Sequence, residues 1–270
     1  MDKSLRVERS RTFGGVADVY ARTRPAYPDR CVSWLTGGRA VKVLELGAGT
    51  GKLTAQLVRA GHDVVATEPS EPMLAHLADR LGQGRRGVAC VRSTAERPPF
   101  AAGSFDVVVV AQAYHWFDTA EALSQIARVL REGGLLSLVW NIRDDSIPWV
   151  RKLSDIIGSE DHDSGELTDQ VSADGLFEPV AYKKFGFWQD LDEAALVGLV
   201  ESRSYVAALE PDARAELLGR VRELYAGYDR GPDGLRMRYR TDCYRARVLE
   251  QPLAADEAGP LGGDVLFGFG

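Results

Sequence analysis

The feature that most constrains the fold is a series of short apolar segments that alternate with amphipathic helical segments. The apolar segments are VKVLEL (41–46), HDVVATEP (62–69), VACVR (88–92), FDVVVVAQAYHWF (105–117) and LLSLVW (135–140). The helical segments between them, such as 71–81 and 118–131, carry apolar residues on one face. Strands of nearly continuous Val and Leu that alternate with helices are typical of a parallel sheet covered on both faces. The sequence therefore predicts an α/β fold with a doubly wound sheet.

A glycine-rich turn follows the first apolar segment. Gly47, Gly49 and Gly51 stand at alternate positions after Glu45, and a helical segment comes next. The dinucleotide fingerprint G-x-G-x-x-G requires a third glycine where this chain has Lys52, and two positions that define the P-loop are leucines here. A carboxylate at the end of the strand also opposes a phosphate and favours a cationic ligand. An NAD-dependent oxidoreductase is therefore disfavoured.

Five segments resemble the motifs of one enzyme family. They are ELGAGTGKLT (45–54), ATEP (66–69), TAERPPF (94–100), SFDVVVVAQAYHWF (104–117) and RVLREGGLLSLVW (128–140). In order and spacing they are similar to the class I S-adenosylmethionine-dependent methyltransferases. The opening FGGVADVYARTRPAYP (13–28) and the His-Trp-Phe at 115–117 resemble small-molecule enzymes of the trans-aconitate methyltransferase type. The resemblance covers residues 13–145 and implies a seven-stranded, mostly parallel, Rossmann-like sheet.

The C-terminal half predicts the last two strands and a helical insertion. The strands are predicted at 182–191 and 235–249, and the family resemblance implies that the last one inserts antiparallel to the others. The insertion contains two helical stretches separated at Glu210–Pro211, where Pro suits a first helical turn. We expect one methyltransferase domain over residues 1–250. Its predicted parts are N-terminal cap helices (1–40), a cofactor-binding core (41–145) and a helical substrate lid (191–232), and a flexible tail (251–270) follows the domain.

The resemblance also implies a set of cofactor-binding residues. In relatives, the glycine loop with Glu45 holds the methionine portion of S-adenosylmethionine, and Gln112 lies beside it. Glu68 is implied to accept hydrogen bonds from the ribose, and Ala95 and Glu96 to border the adenine. Two residues of the opening segment are implied to fold over the cofactor. The complete set is Glu45, Gly47, Ala48, Gly49, Gly51, Glu68, Pro69, Ala95, Glu96, Gln112, Tyr20 and Arg24.

Composition excludes several other functions. The net charge of −6 and the absence of a long Lys/Arg tract argue against a nucleic-acid-binding protein. Three widely separated cysteines and four histidines form no metal-ligand spacing, so no metal is expected. No apolar run reaches the roughly 18 residues of a membrane span, and the first residues lack the apolar core of a signal peptide. We therefore expect a cytoplasmic protein that acts without a membrane.

The segment after the fourth strand bears on the acceptor. It contains neither an acid that suits a metal-dependent enzyme nor the Asp/Asn-Pro-Pro-aromatic pattern of base-amine methyltransferases. A small organic acceptor is therefore expected. His115 is the candidate general base because histidine ordinarily titrates near neutrality. Alternatively, His115 caps the next helix and packs against Trp116.

Two kinds of acceptor pocket remain open. An aromatic pocket would use the candidate residues Tyr114, Trp116, Trp140 and Tyr205. A carboxylate pocket would use Arg203 and the arginines of the last strand, although alternating arginines are also typical of a solvent-exposed face. Oxygen is the favoured methyl acceptor, with carbon, nitrogen or a non-catalytic S-adenosylmethionine-binding role as alternatives. The sequence does not distinguish a monomer from a homodimer.

Overall fold

The structure is a computed structural model that describes residues 23–81, 87–158, 164–173, 175–228 and 234–249. The strands in these residues are β1 (Lys42–Leu46), β2 (Asp63–Thr67), β3 (Val88–Val91), β4 (Phe105–Ala111), β5 (Leu130–Arg143), β6 (Ala181–Leu191) and β7 (Leu235–Arg247). The helices are α1 (Asp29–Leu35), α2 (Lys52–Arg59), α3 (Glu71–Leu81), α4 (Thr119–Val129), α5 (Pro148–Ile157), α6 (Ser164–Ala173), α7 (Glu193–Glu201), α8 (Ser204–Ala207) and α9 (Pro211–Ala226). A 3₁₀ turn at Tyr114–Trp116 follows β4.

The strands form one seven-stranded sheet in the order β3-β2-β1-β4-β5-β7-β6. β1 pairs in parallel with both β2 and β4, β2 with β3, and β4 with β5. Consecutive parallel strands need crossover connections, which α2, α3 and α4 provide. The doubly wound, mostly parallel sheet predicted from the sequence is therefore confirmed.

β7 runs antiparallel to β5. The Val248 amide donates to the Gly134 carbonyl at 2.9 Å, and the Asp144 amide donates to the Arg238 carbonyl at 3.0 Å. Residue numbers therefore rise along one strand as they fall along the other, which is the pattern of an antiparallel pair. The sheet is thus mixed, and the prediction that the last strand inserts antiparallel is confirmed.

The chain forms two compact units, and β5, β6 and β7 contribute residues to both. The described part of the core unit consists of residues 27–81, 87–140, 164–173, 175–185 and 242–249. The described part of the accessory unit consists of residues 23–26, 141–158, 186–228 and 234–241. The described part of the predicted lid, residues 191–228, belongs to the accessory unit, and residues 229–232 of the lid lie outside the described residues. The domain limits inferred from the sequence remain predictions.

Each unit has a hydrophobic core of its own. In the core unit, Val43 of β1 and Val107 of β4 pack in one cluster with Leu53 and Leu57, which share one face of α2. In the accessory unit, α5, α7 and α9 pack through a cluster that includes Leu153. Full burial of a Leu or Val side chain contributes about 1.5–3 kcal/mol, so these clusters anchor the helices to their units.

Several predicted element boundaries were wrong. α4 ends at Val129 and β5 starts at Leu130, whereas the sequence predicted a helix to residue 131 and a strand from 135. Leu130 pairs with Phe105 of β4, and this tertiary pairing ends the helix two residues earlier than its apolar pattern predicts. β4 ends at Ala111 rather than at residue 117 because the next residue has a left-handed backbone.

Other predictions differ in detail or fall outside the described residues. The described part of the insertion, residues 191–228, contains three helices, α7, α8 and α9, rather than two, although α9 begins at Pro211 as predicted. Of the predicted cap helices, α1 is described and residues 1–22 are not. The predicted tail at 251–270 also lies outside the described residues. Among the helices that the structure does describe, none has both the length and the apolar character that crossing a bilayer requires.

Candidate functional site

The glycine loop between β1 and α2 has a backbone that only glycine adopts readily. Gly47, Gly49 and Gly51 have φ values of 68°, 56° and 76°. A Cβ added to Gly47 would lie 2.7 Å from the Ala113 Cβ, and one added to Gly51 would lie 3.1 Å from Leu77 Cγ. A Cβ on Gly49 would have no atom within 4 Å. The two outer glycines therefore allow close packing, while the middle glycine presents backbone to open space.

Glu68 connects this loop to the start of the next helix. One carboxylate oxygen, Oε2, accepts from the Gly49 amide at 3.0 Å, and the other, Oε1, accepts from the Ser70 amide at 3.0 Å. The side chain is buried, which raises the pKa of Glu68, and the two amide hydrogen bonds oppose this effect. Because a carboxylate oxygen can accept two hydrogen bonds, each oxygen retains capacity for a ligand hydroxyl. The neighbouring predicted residues fit this frame: Ala48 donates its amide to Thr67 at 2.9 Å, and Pro69 is exposed.

Glu45 is a buried acid inside the sheet, one residue before the end of β1. Only 1% of its surface is exposed, and Thr54 Oγ1 donates to its Oε2 at 2.7 Å. Burial raises the pKa of Glu45 to about 8; the Thr54 hydrogen bond lowers it and the charge of Glu68 raises it further. A cation in the glycine loop would favour the charged form of this carboxylate. Sequence reasoning missed Thr54, because its role depends on α2 packing over β1.

Gln112 directly follows β4 and has a left-handed backbone. Its φ of 59° is the only positive value among the non-glycine residues that the structure describes. The conformation is held by its amide, which donates to the Val139 carbonyl of β5 at 3.0 Å. The next residue, Ala113, is the one that faces Gly47. Backbone strain at a strand end beside a ligand loop is typical of a functional position.

The predicted adenine-binding pair lies in the turn after β3. Ala95 is buried, and Glu96 is partly exposed. Glu96 Oε1 accepts from the amide of Asp118, the residue that precedes α4, at 2.9 Å. This contact fixes the side chain while the other oxygen remains available as an acceptor. Asp118 is 22 residues away in sequence, so no local pattern indicated the contact.

The aromatic candidates of the core unit lie near the end of β4. Tyr114 is buried and makes an edge contact with Trp140, with ring centroids 6.4 Å apart. Trp140 in turn contacts Tyr244 of β7 at 5.9 Å. His115 is exposed, and its ring lies 4.7 Å from the ring of Trp116. The structure therefore brings these three aromatic candidates and His115 together at one strand end.

Two of the remaining candidates belong to the accessory unit, and the third lies outside the described residues. Tyr205 belongs to the accessory unit, where its hydroxyl donates to the Ile157 carbonyl at 2.6 Å. Arg24 belongs to the same unit, and its Nε donates to Ser202 Oγ at 3.1 Å. Tyr20 lies outside the described residues.

Three arginines of β7, Arg236, Arg238 and Arg240, form a solvent-exposed face in the accessory unit. Arg236 and Arg238 lie 5.3 and 5.8 Å from the ring of the half-exposed Trp188. Arg236 also pairs with Asp190 at 3.0 Å, and Arg238 pairs with Asp144 at 3.4 Å. These contacts support the reading of the alternating arginines as the outer face of a strand. Among the described residues, no three His, Cys, Asp or Glu side chains are placed to hold a metal ion.

Known proteins are similar to this chain in sequence and in fold. A family model described as a methyltransferase domain matches residues 44–138. An uncharacterized methyltransferase of Mycobacterium tuberculosis is 42% identical over 245 residues, which cover 90% of this chain and 98% of that protein. An uncharacterized methyltransferase-like protein of Schizosaccharomyces pombe is 32% identical over 241 residues, which cover 85% and 92%. A solved structure from Anaeromyxobacter dehalogenans that is described as a methyltransferase matches with a TM-score of 0.63 at 21% identity, over 84% of this chain and 99% of that one, and it shows the fold alone.

Proposed function

The chain belongs to the class I S-adenosylmethionine-dependent methyltransferases, and we propose that it methylates a small organic acceptor at an oxygen atom, without a metal. Methyltransferase activity follows from the family, while the acceptor and its reacting atom are our inference. One observation carries the cofactor assignment: Glu68 joins Gly49 to Ser70 through two 3.0 Å hydrogen bonds, at a loop that faces open space.

The residues present fit S-adenosylmethionine. Glu68 offers acceptor oxygens to ribose hydroxyls, and the partly exposed Glu96 offers one to the adenine amino group. Glu45 supplies a negative charge behind the glycine loop, which suits the cationic methionine portion. Gln112 has a left-handed backbone that is held by the bond from its amide to the Val139 carbonyl, and the next residue packs against Gly47 of the loop. Tyr20 and Arg24 remain predictions for this site.

The chemistry requires little covalent help from the protein. When bound, S-adenosylmethionine supplies a sulfonium that makes its methyl group electrophilic. The protein must then align the acceptor behind that methyl group and exclude water, which are effects of proximity and desolvation. Residues 111–117 contain no acid, so the end of β4 offers no carboxylate to a hard cation.

The acceptor side of the proposal rests on the segment after β4. In this proposal the exposed side chain of His115 takes a proton from an acceptor hydroxyl, whereas a carboxylate acceptor would need no base. The nearby aromatic residues Tyr114, Trp116 and Trp140 favour a flat acceptor, and an enzyme of the trans-aconitate methyltransferase type would require a carboxylate partner instead. Methylation at carbon or nitrogen, and cofactor binding without catalysis, are the alternatives. We expect no nucleic-acid partner, and either a monomer or a homodimer.

Labelling with S-adenosylmethionine that carries an isotopic methyl group tests the proposal. The full chain is incubated with fractionated small metabolites, and mass spectrometry identifies the labelled product and the methylated atom. An O-methyl product supports the proposal, and an N- or C-methyl product corrects the acceptor atom. Calorimetric binding of S-adenosylhomocysteine without any labelled product would favour the non-catalytic alternative, and binding of NAD alone would overturn the cofactor assignment.

The role of His115 needs a separate comparison. With the labelled acceptor in hand, His115→Ala should lower kcat with little change in KM if His115 is the base, and the pH profile should lose its ascending limb. His76→Ala, on α3, is the matched control and should leave both constants unchanged. Equal turnover in the two variants would remove His115 from the mechanism.

A further inference from the structure

The loop that carries the predicted adenine contacts is held by Arg128 of α4. Arg128 Nη1 donates to the Phe100 carbonyl at 2.6 Å, and Nη2 donates to the Pro98 carbonyl at 3.2 Å. Its Nε donates to Gln125 Oε1 at 2.8 Å, three residues earlier on the same helix. Because the guanidinium is planar, the Gln125 contact also fixes the direction of the two bonds to the loop.

The loop needs donors from outside because of its own sequence. Pro98 and Pro99 have no amide hydrogen, so this stretch cannot form a regular backbone ladder. At the two prolines, the Phe100 amide donates to the Pro98 carbonyl at 2.9 Å, and the guanidinium adds bonds to the carbonyls of Pro98 and Phe100. Arg128 is partly buried, which lowers its pKa, yet arginine stays charged in proteins. Its bonds to the carbonyls are therefore charge-assisted and stronger than neutral ones.

Helix α4 fastens the loop at two places. Near the start of the helix, the Asp118 amide donates to Glu96 Oε1 at 2.9 Å. Near its end, the Arg128 side chain holds the carbonyls of residues 98 and 100, and the Arg128 carbonyl accepts from the Gly103 amide at 3.0 Å. The loop that carries Ala95 and Glu96 is therefore bonded to α4 near both ends of the helix, at Asp118 and at Arg128. Loss of the Arg128 side chain would remove the bonds to the carbonyls at 98 and 100. The loop would keep the Glu96 bond, the Gly103 bond to the helix backbone and the local bonds across the turn at residues 93–97.

We propose that Arg128 is a positioning residue that aligns Ala95 and Glu96 with the adenine ring, without touching the cofactor itself. This inference rests on the proposed function, because it takes the cofactor to bind at this loop. Without the guanidinium, the carbonyls at 98 and 100 lose their charged donors and the turn before them can rotate. The amide and the carboxylate that read the purine edge then lose their alignment, so discrimination between purines falls along with affinity.

A comparison of two purines tests the proposal. S-adenosylhomocysteine and S-inosylhomocysteine differ in the purine. Hypoxanthine has an oxygen where adenine has the amino group that would donate a hydrogen bond to Glu96. Both are titrated calorimetrically into the full wild-type chain, Arg128→Met, Arg128→Lys and Arg131→Met. The control residue, Arg131, pairs with Asp106 at 2.7 Å in a half-exposed position, so its replacement removes the same charge and leaves the loop contacts intact.

The expected pattern is specific to positioning. The wild type should prefer the adenine compound, and Arg128→Met should bind it about tenfold more weakly. The preference for adenine over hypoxanthine should shrink in the same variant. Arg128→Lys, which keeps a charged donor, should recover part of the preference, and Arg131→Met should match the wild type.

The outcomes that overturn the inference are separate from those that overturn the function. If Arg128→Met keeps the wild-type preference between the two purines, the positioning role is refuted, because general loosening weakens both ligands by the same factor. If the wild type binds neither compound, the proposed function fails instead. Thermal unfolding shows whether Arg128→Met is folded. If it is not, Arg128→Lys decides: wild-type affinity and wild-type preference for adenine in that variant would refute the role of the two guanidinium bonds to the carbonyls at 98 and 100.

Discussion

Replacement of Glu45 by Gln tests whether a buried carboxyl group destabilises the cofactor-free protein. The pKa of Glu45 is raised from 4.5 to about 8, a difference of about 3.5 units. The folded protein therefore holds a proton that the unfolded chain releases above pH 4.5, so stability is complete below that pH and is lost as pH rises toward 8. At about 1.4 kcal/mol per unit, the loss is about 3 kcal/mol at pH 7 and about 5 kcal/mol above pH 8.

Gln has nearly the same shape as Glu, can still accept the 2.7 Å hydrogen bond from Thr54, and has no charge to bury. Glu45→Gln should therefore match the wild type at pH 4 and exceed its unfolding free energy by about 3 kcal/mol at pH 7 and about 5 kcal/mol at pH 9. Urea unfolding at the three pH values measures the difference. A gain that does not change with pH, or a variant less stable than the wild type at pH 9, would refute the reasoning. The same variant should bind S-adenosylmethionine more weakly, because the cation loses its carboxylate partner.

Three further outcomes are expected. Gly47→Ala places a Cβ 2.7 Å from the Ala113 Cβ at a φ of 68°, so urea unfolding should show a loss of about 1–3 kcal/mol, and calorimetry should show weaker cofactor binding. Gln112→Asn should raise the unfolding free energy by about 0.5 kcal/mol, because Asn tolerates the left-handed φ of 59° better than Gln. A loss of stability would contradict the view that the backbone is strained at this position. Cys31 and Cys243, whose Sγ atoms lie 3.2 Å apart in the core, should form a disulfide when the folded protein is treated with diamide. Intact-mass spectrometry should then show the loss of two hydrogens, and an unchanged mass with all three cysteines still free would contradict this expectation.

The sequence predicted the strands and the ligand loop because their signals are local. Val-rich runs indicate parallel strands whatever follows them, and the spacing of Gly47, Gly49 and Gly51 indicates a tight approach of backbone to ligand. The position of Glu68 after β2 follows from the same pattern. These signals can be recognised without knowing any distant contact, and in the structure Glu68 is bonded to Gly49 of the loop.

The rest depends on contacts that are distant in sequence. The sequence pattern places Leu130 at the end of a helix, whereas in the structure it pairs with Phe105 of β4 and starts a strand. The sequence indicates Glu96 as a cofactor contact but not its hydrogen bond with the Asp118 amide. It indicates Arg128 as a surface residue of α4 but not its bonds to the loop carbonyls. Period and propensity describe one segment at a time, so they cannot indicate such bonds.

The position of β7 has a consequence for how the chain is made. β7 is the last strand among the described residues, yet it lies between β5 and β6. During synthesis β6 therefore emerges before its neighbour, and both β5 and β6 expose unpaired backbone until residues 235–247 are available. Open strand edges recruit other chains. A product that terminates before Leu235 should therefore aggregate or be degraded instead of accumulating as a smaller folded enzyme.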